Sequence, residues 1–279
     1  MRYKDVIKSQ LRPDLGVIAD DANERKLGKF TLFGFQVYVG RQGSGKTMAG
    51  VKDVIQIKKA FPNAILVSNC DIKEYHQVLI EDMIEGYKLM PNDYVFFFTP
   101  EELEFVLKYV NNGTAGVIYF IDEIHNYFNS LDSKNIPIWV FGEISQQRKQ
   151  RKLIVATSQL FMRVAKPLRE QCDNIISCSN LLTYLMIETI YDGWDISTDS
   201  DGNITSAKKG RKYFFQTREL RNKYDTFQKI MKSDYKPFAG SMFDFEEKVS
   251  EYDRIAPAQD PKPKTGLKKL LTSKLSGKP

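Results

Sequence analysis

The chain has few of the residues that staple or metallate a small fold. Its 279 residues contain three cysteines, Cys70, Cys172 and Cys178, widely spaced and odd in number. That excludes a disulfide framework and fits a reducing compartment. Two histidines, His76 and His125, are too few for a well-built zinc site. Long apolar runs are also missing: none approaches the roughly 18–20 residues that cross a bilayer. The opening "MRYKDVIKSQLRPDLG" has no apolar centre like that of a signal peptide. The expectation is a soluble intracellular protein with no transmembrane segment. No internal repeat is evident.

What is present suits a globular core. The length fits one large domain, or one domain and a tail. The net charge of +6 is unevenly placed. Residues 255–279 hold six lysines against Asp260, a balance of +5, which leaves +1 for the remainder. The basic character therefore belongs to the tail and says little about partners of the core.

Several apolar stretches read as buried strands: 35–39, 64–69, 94–98, 116–123, 152–159 and 174–178. Between the first two, "TMAGVKDVIQIKKAF" reads as a helix stopped by Pro62, and Thr99-Pro100 opens another. Continuous apolar strands alternating with helices predict an α/β fold with a mostly parallel sheet covered on both faces. Residues 181–196 and 210–220 read as two strands of an antiparallel hairpin on the sheet edge. The turn between them, "STDSDGNITSAK", has acids spaced as in a calcium loop. Ser197 and Lys208 stand where the first and last acidic ligands belong, so a plain hairpin turn is expected. Residues 1–252 form one expected domain, with its core at about 35–235, and 253–279 a flexible basic tail. Leucines at helical spacing in "GLKKLLTSKL" give that tail one amphipathic face for a partner, DNA or an anionic membrane, the plain alternative being a disordered end.

The chemistry begins in "GRQGSGKT", which matches the phosphate-binding pattern G-x-x-x-x-G-K-[ST]. Gly40, Arg41, Gln42, Gly43, Ser44 and Gly45 form a loop whose backbone N–H groups can face a phosphate. Lys46 reaches the β- and γ-phosphates, and Thr47 offers a hydroxyl to Mg²⁺. ATP and Mg²⁺ are therefore the expected ligands. "IYFIDEIH" ends an apolar strand in two carboxylates. Asp122 suits the Mg²⁺ shell and Glu123 the activation of a water, which favours hydrolysis over transfer to a kinase substrate. The bland reading is a solvated turn. Gln159, ending the next apolar strand, suits a sensor of the γ-phosphate; its alternative is an amide bonded to backbone. Arg148, Lys149, Arg151 and Lys152 crowd one segment. They read as a solvated helix end, as a finger toward a neighbouring subunit's phosphate, or as a nucleic-acid contact. Arg169 is a further finger candidate.

Taken together, "GRQGSGKT", "LVSNCDI", "YFIDEIHNYFNS", "QQRKQRKLIVATSQ", "PLREQCDNIISC" and "NKYDTFQ" resemble the HerA/FtsK superfamily of ATPases over roughly residues 35–230. They look most like its viral branch: phage DNA-packaging motors and the zonula-occludens-toxin-like assembly proteins. The resemblance rests most on Gln159 and on Tyr224–Thr226. It implies a RecA-like additional-strand P-loop core working as a homo-oligomeric ring, a pentamer or hexamer, with arginine fingers in trans. It implies double-stranded DNA as substrate and a capsid portal as docking partner for a packaging motor, in the host cytoplasm and transiently on the virion. The toxin-like proteins instead drive extrusion at a membrane and usually carry a spanning helix. With none found here, packaging is the leading expectation and extrusion the alternative. A nucleotide-switched binding protein or small-molecule kinase is the non-motor alternative.

Overall fold

The computed structural model describes residues 29–134, 136–181, 184–194, 196, 204 and 207–225. Their framework is a nine-stranded sheet. In chain order the elements are β1 (Gly34–Val39), α1 (Lys46–Ala60), β2 (Ile65–Ser68), β3 (His76–Leu79), α2 (Ile80–Ile84), β4 (Asp93–Phe96), α3 (Pro100–Tyr109) and β5 (Val117–Ile121). There follow α4 (Ile138–Ser145), α5 (Gln147–Gln150), β6 (Lys152–Ser158), α6 (Lys166–Arg169), β7 (Asn174–Leu181), β8 (Leu185–Asp192), β9 (Lys208–Phe215) and α7 (Arg218–Asn222).

The strand order is β3-β4-β2-β5-β6-β1-β7-β8-β9. Every pairing from β3 to β7 is parallel, and β7–β8 and β8–β9 are antiparallel. The mixed α/β fold with a largely parallel sheet is thus as the apolar runs require. All residues of β5 and β6 are buried, because two hydrophobic layers cover the two faces. One layer gathers Phe97, Leu103, Val106, Tyr119, Ile154 and Leu168; the other gathers Met48, Val51, Val54, Leu66, Phe120 and Val155. α3 starts where Thr99 Oγ1 accepts from the Glu102 N–H, and Glu102 Oε2 accepts from the Thr99 N–H in return.

Two expectations need correction. The two-stranded hairpin is a three-stranded meander: polar Ser179 and Asn180 prolong β7 to Leu181, and β8 folds back on its whole length. The last strand ends at Phe215, because Thr217 accepts from the Leu220 N–H and caps α7 instead. The short edge strand β3 was not foreseen, since "HQVL" carries one buried residue. The calcium-like stretch lies largely outside the described residues, as do Thr226 and the basic tail. Among the described residues no helix is long and apolar enough to cross a membrane.

Candidate nucleotide-binding site

Parallel strands bring their C-terminal ends to one edge, and here the central three ends carry the chemistry. β6 lies between β1, which runs into the glycine loop, and β5, which runs into Asp122 and Glu123. The loop turns with φ +84° at Gly45, a left-handed conformation that favours glycine. A side chain at Gly45 would also overlap the Met186 methyl of β8. Lys46 then opens α1, buried, its Nζ 3.4 Å from the Arg41 carbonyl and 3.8 Å from Glu123 Oε1. Ser44 Oγ is buried without a hydrogen-bond partner.

Asp122 is the centre of the polar cluster. Its Oδ1 accepts from Thr47 Oγ1 at 2.9 Å and from Thr157 Oγ1 at 2.7 Å. Asn69, at the end of β2, clamps its backbone: Oδ1 accepts from the Asp122 N–H at 2.7 Å and Nδ2 donates to the Asp122 carbonyl at 2.9 Å. Asn69 Nδ2 also meets Tyr127 Oη, which donates to the Phe98 carbonyl. Burial pushes the Asp122 carboxyl up, against the pull of the two hydroxyls and Lys46.

Glu123 has φ +50°, unusual for a residue with a side chain. Its N–H is held by Thr157 Oγ1 at 2.8 Å and its carbonyl by the Asn126 N–H at 2.9 Å. Burial raises its pKa, Lys46 lowers it, and the neighbouring Asp122 raises it again. His125 Nδ1 lies 3.3 Å from Glu123 Oε2 and 3.2 Å from Ser158 Oγ. The approach to Glu123 is a close contact rather than an aligned hydrogen bond, since Oε2 is left with no hydrogen-bond partner. Burial, with Arg163 and Lys46 nearby, holds the His125 pKa below its ordinary value.

The donors suit a triphosphate with Mg²⁺. The orphaned Ser44 hydroxyl and the Lys46 ammonium stand at the loop that leads into the first turn of α1, where backbone N–H groups are unpaired. Among the described residues no group of three His, Cys, Asp or Glu could hold a metal alone. A hydroxyl and one carboxylate, as Thr47 and Asp122 provide, match an ion that takes its other ligands from phosphate and water.

The arginines divide differently. Arg151 precedes β6, seven residues from the chemical edge, about 20 Å along the strand. Its Nη1 donates to the Phe30 carbonyl at 2.7 Å. Arg148 lies at the same far end, its guanidinium 5.5 Å from the Phe33 ring centroid. Lys152 is buried, donating to the Leu107 carbonyl at 2.7 Å and pairing with Glu143 at 3.2 Å, so it is no part of a solvated or DNA-facing cluster. Arg169 stands 5.9 Å from the Phe161 ring. Gln159 does reach the chemical edge, and its Oε1 accepts from Arg163 Nη1 at 3.4 Å. Within one chain, then, Lys46, Thr47, Asp122, Glu123 and Gln159 come together and Arg148 and Arg151 do not.

Asn69, His125, Thr157 and Arg163 were missed as site residues. The first three share a signal: each is polar at or just beyond the end of an apolar strand, where a parallel sheet delivers it to the same edge.

The family model described as zonular occludens toxin (Zot) matches residues 35–219. No curated protein matches by sequence. Among solved structures, the N-terminal domain of zonular occludens toxin from Neisseria meningitidis is similar at 14% identity and TM-score 0.46, covering 70% of this chain and 100% of that one. The genome packaging NTPase B204 of Sulfolobus turreted icosahedral virus 2, in complex with sulfate, is similar at 15% identity and TM-score 0.45, covering 62% and 94%.

Proposed function

The chain belongs to the zonular occludens toxin family, and we propose that it is an ATP-hydrolysing motor acting on viral DNA as a homo-oligomeric ring. The observation that carries the hydrolytic reading is the meeting of loop and carboxylates. Thr47 bonds Asp122 at 2.9 Å while Lys46 stands 3.8 Å from Glu123. The strand between β1 and β5 supports a RecA-like additional-strand core.

In this reading the backbone of Gly40–Gly45, the Ser44 hydroxyl and Lys46 hold the phosphates. Thr47 and Asp122 hold Mg²⁺, which when bound neutralises phosphate charge. Glu123 positions a water and takes its proton: Oε2 is buried and free to accept, and a raised pKa makes a stronger base. Gln159, with Arg163 donating to it, is assigned the sensing of the γ-phosphate. An arginine of the neighbouring subunit, Arg148, Arg151 or Arg169, completes the site across the ring.

Family membership favours the assembly and extrusion branch over capsid packaging, and so reverses the order expected from the lack of a spanning helix. Flotation with anionic vesicles separates the two: the extrusion reading expects the protein to rise with the lipid. Turnover measured with and without DNA, over a protein concentration series, tests the motor. The expected result is DNA-stimulated hydrolysis rising steeply with concentration. Hydrolysis indifferent to DNA in a monomeric protein would favour a nucleotide-switched binding protein or a small-molecule kinase.

A further inference from the structure

The meander β7-β8-β9 has one face turned to α1; among the described residues its other face is exposed toward Leu181 and Phe215 and buried at Thr189 and Tyr191. Toward α1 point Met186, Glu188, Ile190 and Phe214; Lys52 of α1 pairs with Glu188 at 3.0 Å and lies 3.8 Å over the Phe214 ring. On the opposite face the register sets out three rows. Leu181, Leu185 and Phe215 form the first, Ser179, Ile187 and Tyr213 the second, Ser177, Thr189 and Arg211 the third. Leu181, Tyr213 and Phe215 are 51%, 58% and 65% exposed. Leu185, Ile187, Tyr213 and Phe215 belong to neither hydrophobic layer of the core.

The edge strand beside them, "KKGRKYFF", carries four exposed cations and no acid. Lys209 is paired with Asp192 at 3.1 Å and Lys212 lies 4.0 Å from Asp53. Among the described residues Lys208 and Arg211 have no carboxylate partner. An exposed aromatic pair on alternate strand positions, bordered by unneutralised cations, is the pattern of a stacking platform with a phosphate track.

We propose that this face binds single-stranded nucleic acid, with bases stacked on Tyr213 and Phe215 and phosphates along Lys208 and Arg211. A duplex keeps its bases stacked on one another and offers a flat sheet no free ring face. A second copy of the chain fits less well. Interface centres are depleted in charge, and a lysine-rich edge strand resists pairing with its own kind. The face also backs directly onto the phosphate loop. Asn180 Nδ2 donates to the Gly43 carbonyl at 3.3 Å, and Met186 packs over Gly45. The loop contacts lie on β7 and β8 and the proposed platform on the other face of β9, so strand and nucleotide would share one meander, and any coupling of their affinities would be reciprocal.

The inference extends the motor reading by naming its strand, and it is tested without hydrolysis. Anisotropy of a dye-labelled poly(dT) oligonucleotide and of a mixed-sequence duplex is measured in nucleotide-free buffer. The wild type should prefer the single strand. Tyr213→Ala with Phe215→Ala should weaken it about 30-fold or more, as expected for two lost stacking contacts, and Phe215→Tyr should retain it. Arg211→Ala should weaken binding and reduce the salt slope by about one, or somewhat less on a single strand; this exposed change serves if the double variant folds poorly. Equal losses for single strand and duplex, or no loss, would overturn the assignment. So would unchanged DNA binding with a smaller oligomer by light scattering, which would make the face a subunit contact. A protein that binds the single strand through these residues but hydrolyses no ATP would defeat the motor reading and leave this one standing.

Discussion

Thr157 Oγ1 donates to Asp122 Oδ1 at 2.7 Å and accepts from the Glu123 N–H at 2.8 Å. One hydroxyl on β6 therefore fixes both carboxylate residues at the end of β5. Thr157→Val keeps the shape and removes the hydroxyl. It should cost about 1–3 kcal/mol of stability, because a buried N–H loses its acceptor. Urea denaturation reads the first effect and steady-state turnover the second, which should fall as Glu123 loses its orientation. Full stability with full turnover would remove Thr157 from this role.

Glu123→Gln keeps the volume and removes the proposed base. Nucleotide affinity should stay within about threefold, while turnover should fall by about 10²- to 10⁴-fold, the usual range for a positioned general base. Equilibrium binding of a fluorescent nucleotide beside phosphate release makes the comparison. Unaltered turnover would sink the assignment of the base.

Asp122 offers a pH test. Burial raises its pKa in the folded chain, so folding favours the protonated form. Its contribution to stability is full below the ordinary carboxyl value of about 3.9 and is lost as pH rises through the raised value. Asp122→Asn retains an oxygen for Thr47 and Thr157 but carries no charge. In metal-free buffer near neutral pH it should raise the thermal midpoint by about 2–4 °C for each kcal/mol gained. If Asp122 holds Mg²⁺ as proposed, the wild type should gain stability from Mg²⁺ with nucleotide and the variant should not. A lower midpoint would mean that the hydroxyls and Lys46 outweigh burial.

Arg163 and the three expected fingers can be separated by mixing. Arg163 stands beside Gln159 in the same chain, so Arg163→Ala should lower turnover and gain nothing from added Lys46→Ala subunits. An arginine acting across the ring behaves otherwise. Its alanine variant is inactive alone and recovers part of its turnover when mixed with Lys46→Ala subunits, because each partner supplies what the other lacks. Arg151→Ala should in addition lower stability, since its guanidinium holds the Phe30 carbonyl. No recovery for Arg148, Arg151 or Arg169 would leave the proposed ring without a finger among them.

How much was legible follows from where each signal lives. Local signals carried far: the glycine loop fixes its own turn, Thr99-Pro100 its own cap, and the apolar runs their own burial. Hence the α/β class, the parallel sheet and the residues Lys46, Thr47, Asp122, Glu123 and Gln159 could be read one stretch at a time. Asn69 and Thr157 escaped because an isolated polar residue at or just past a strand end has no partner in sequence; Asn69 is 53 positions from the residue it clamps. The basic segment misled for the same reason. Four neighbouring cations look alike in a line, yet Lys152 turns inward to Leu107 and Glu143 while Arg148 stays outside.

The sequence by itself determined the glycine loop with Lys46 and Thr47 and the carboxylate pair at a strand end, because such patterns depend on residue type at short spacing. The tertiary structure alone decided that β6 stands between the loop and the carboxylates, that Thr157 joins the two acids, and that Arg151 points away from them. It also decided that Tyr213 and Phe215 share an open face with Arg211. Strand order, sheet edge and solvent exposure arise from packing among distant segments, and no local stretch encodes them.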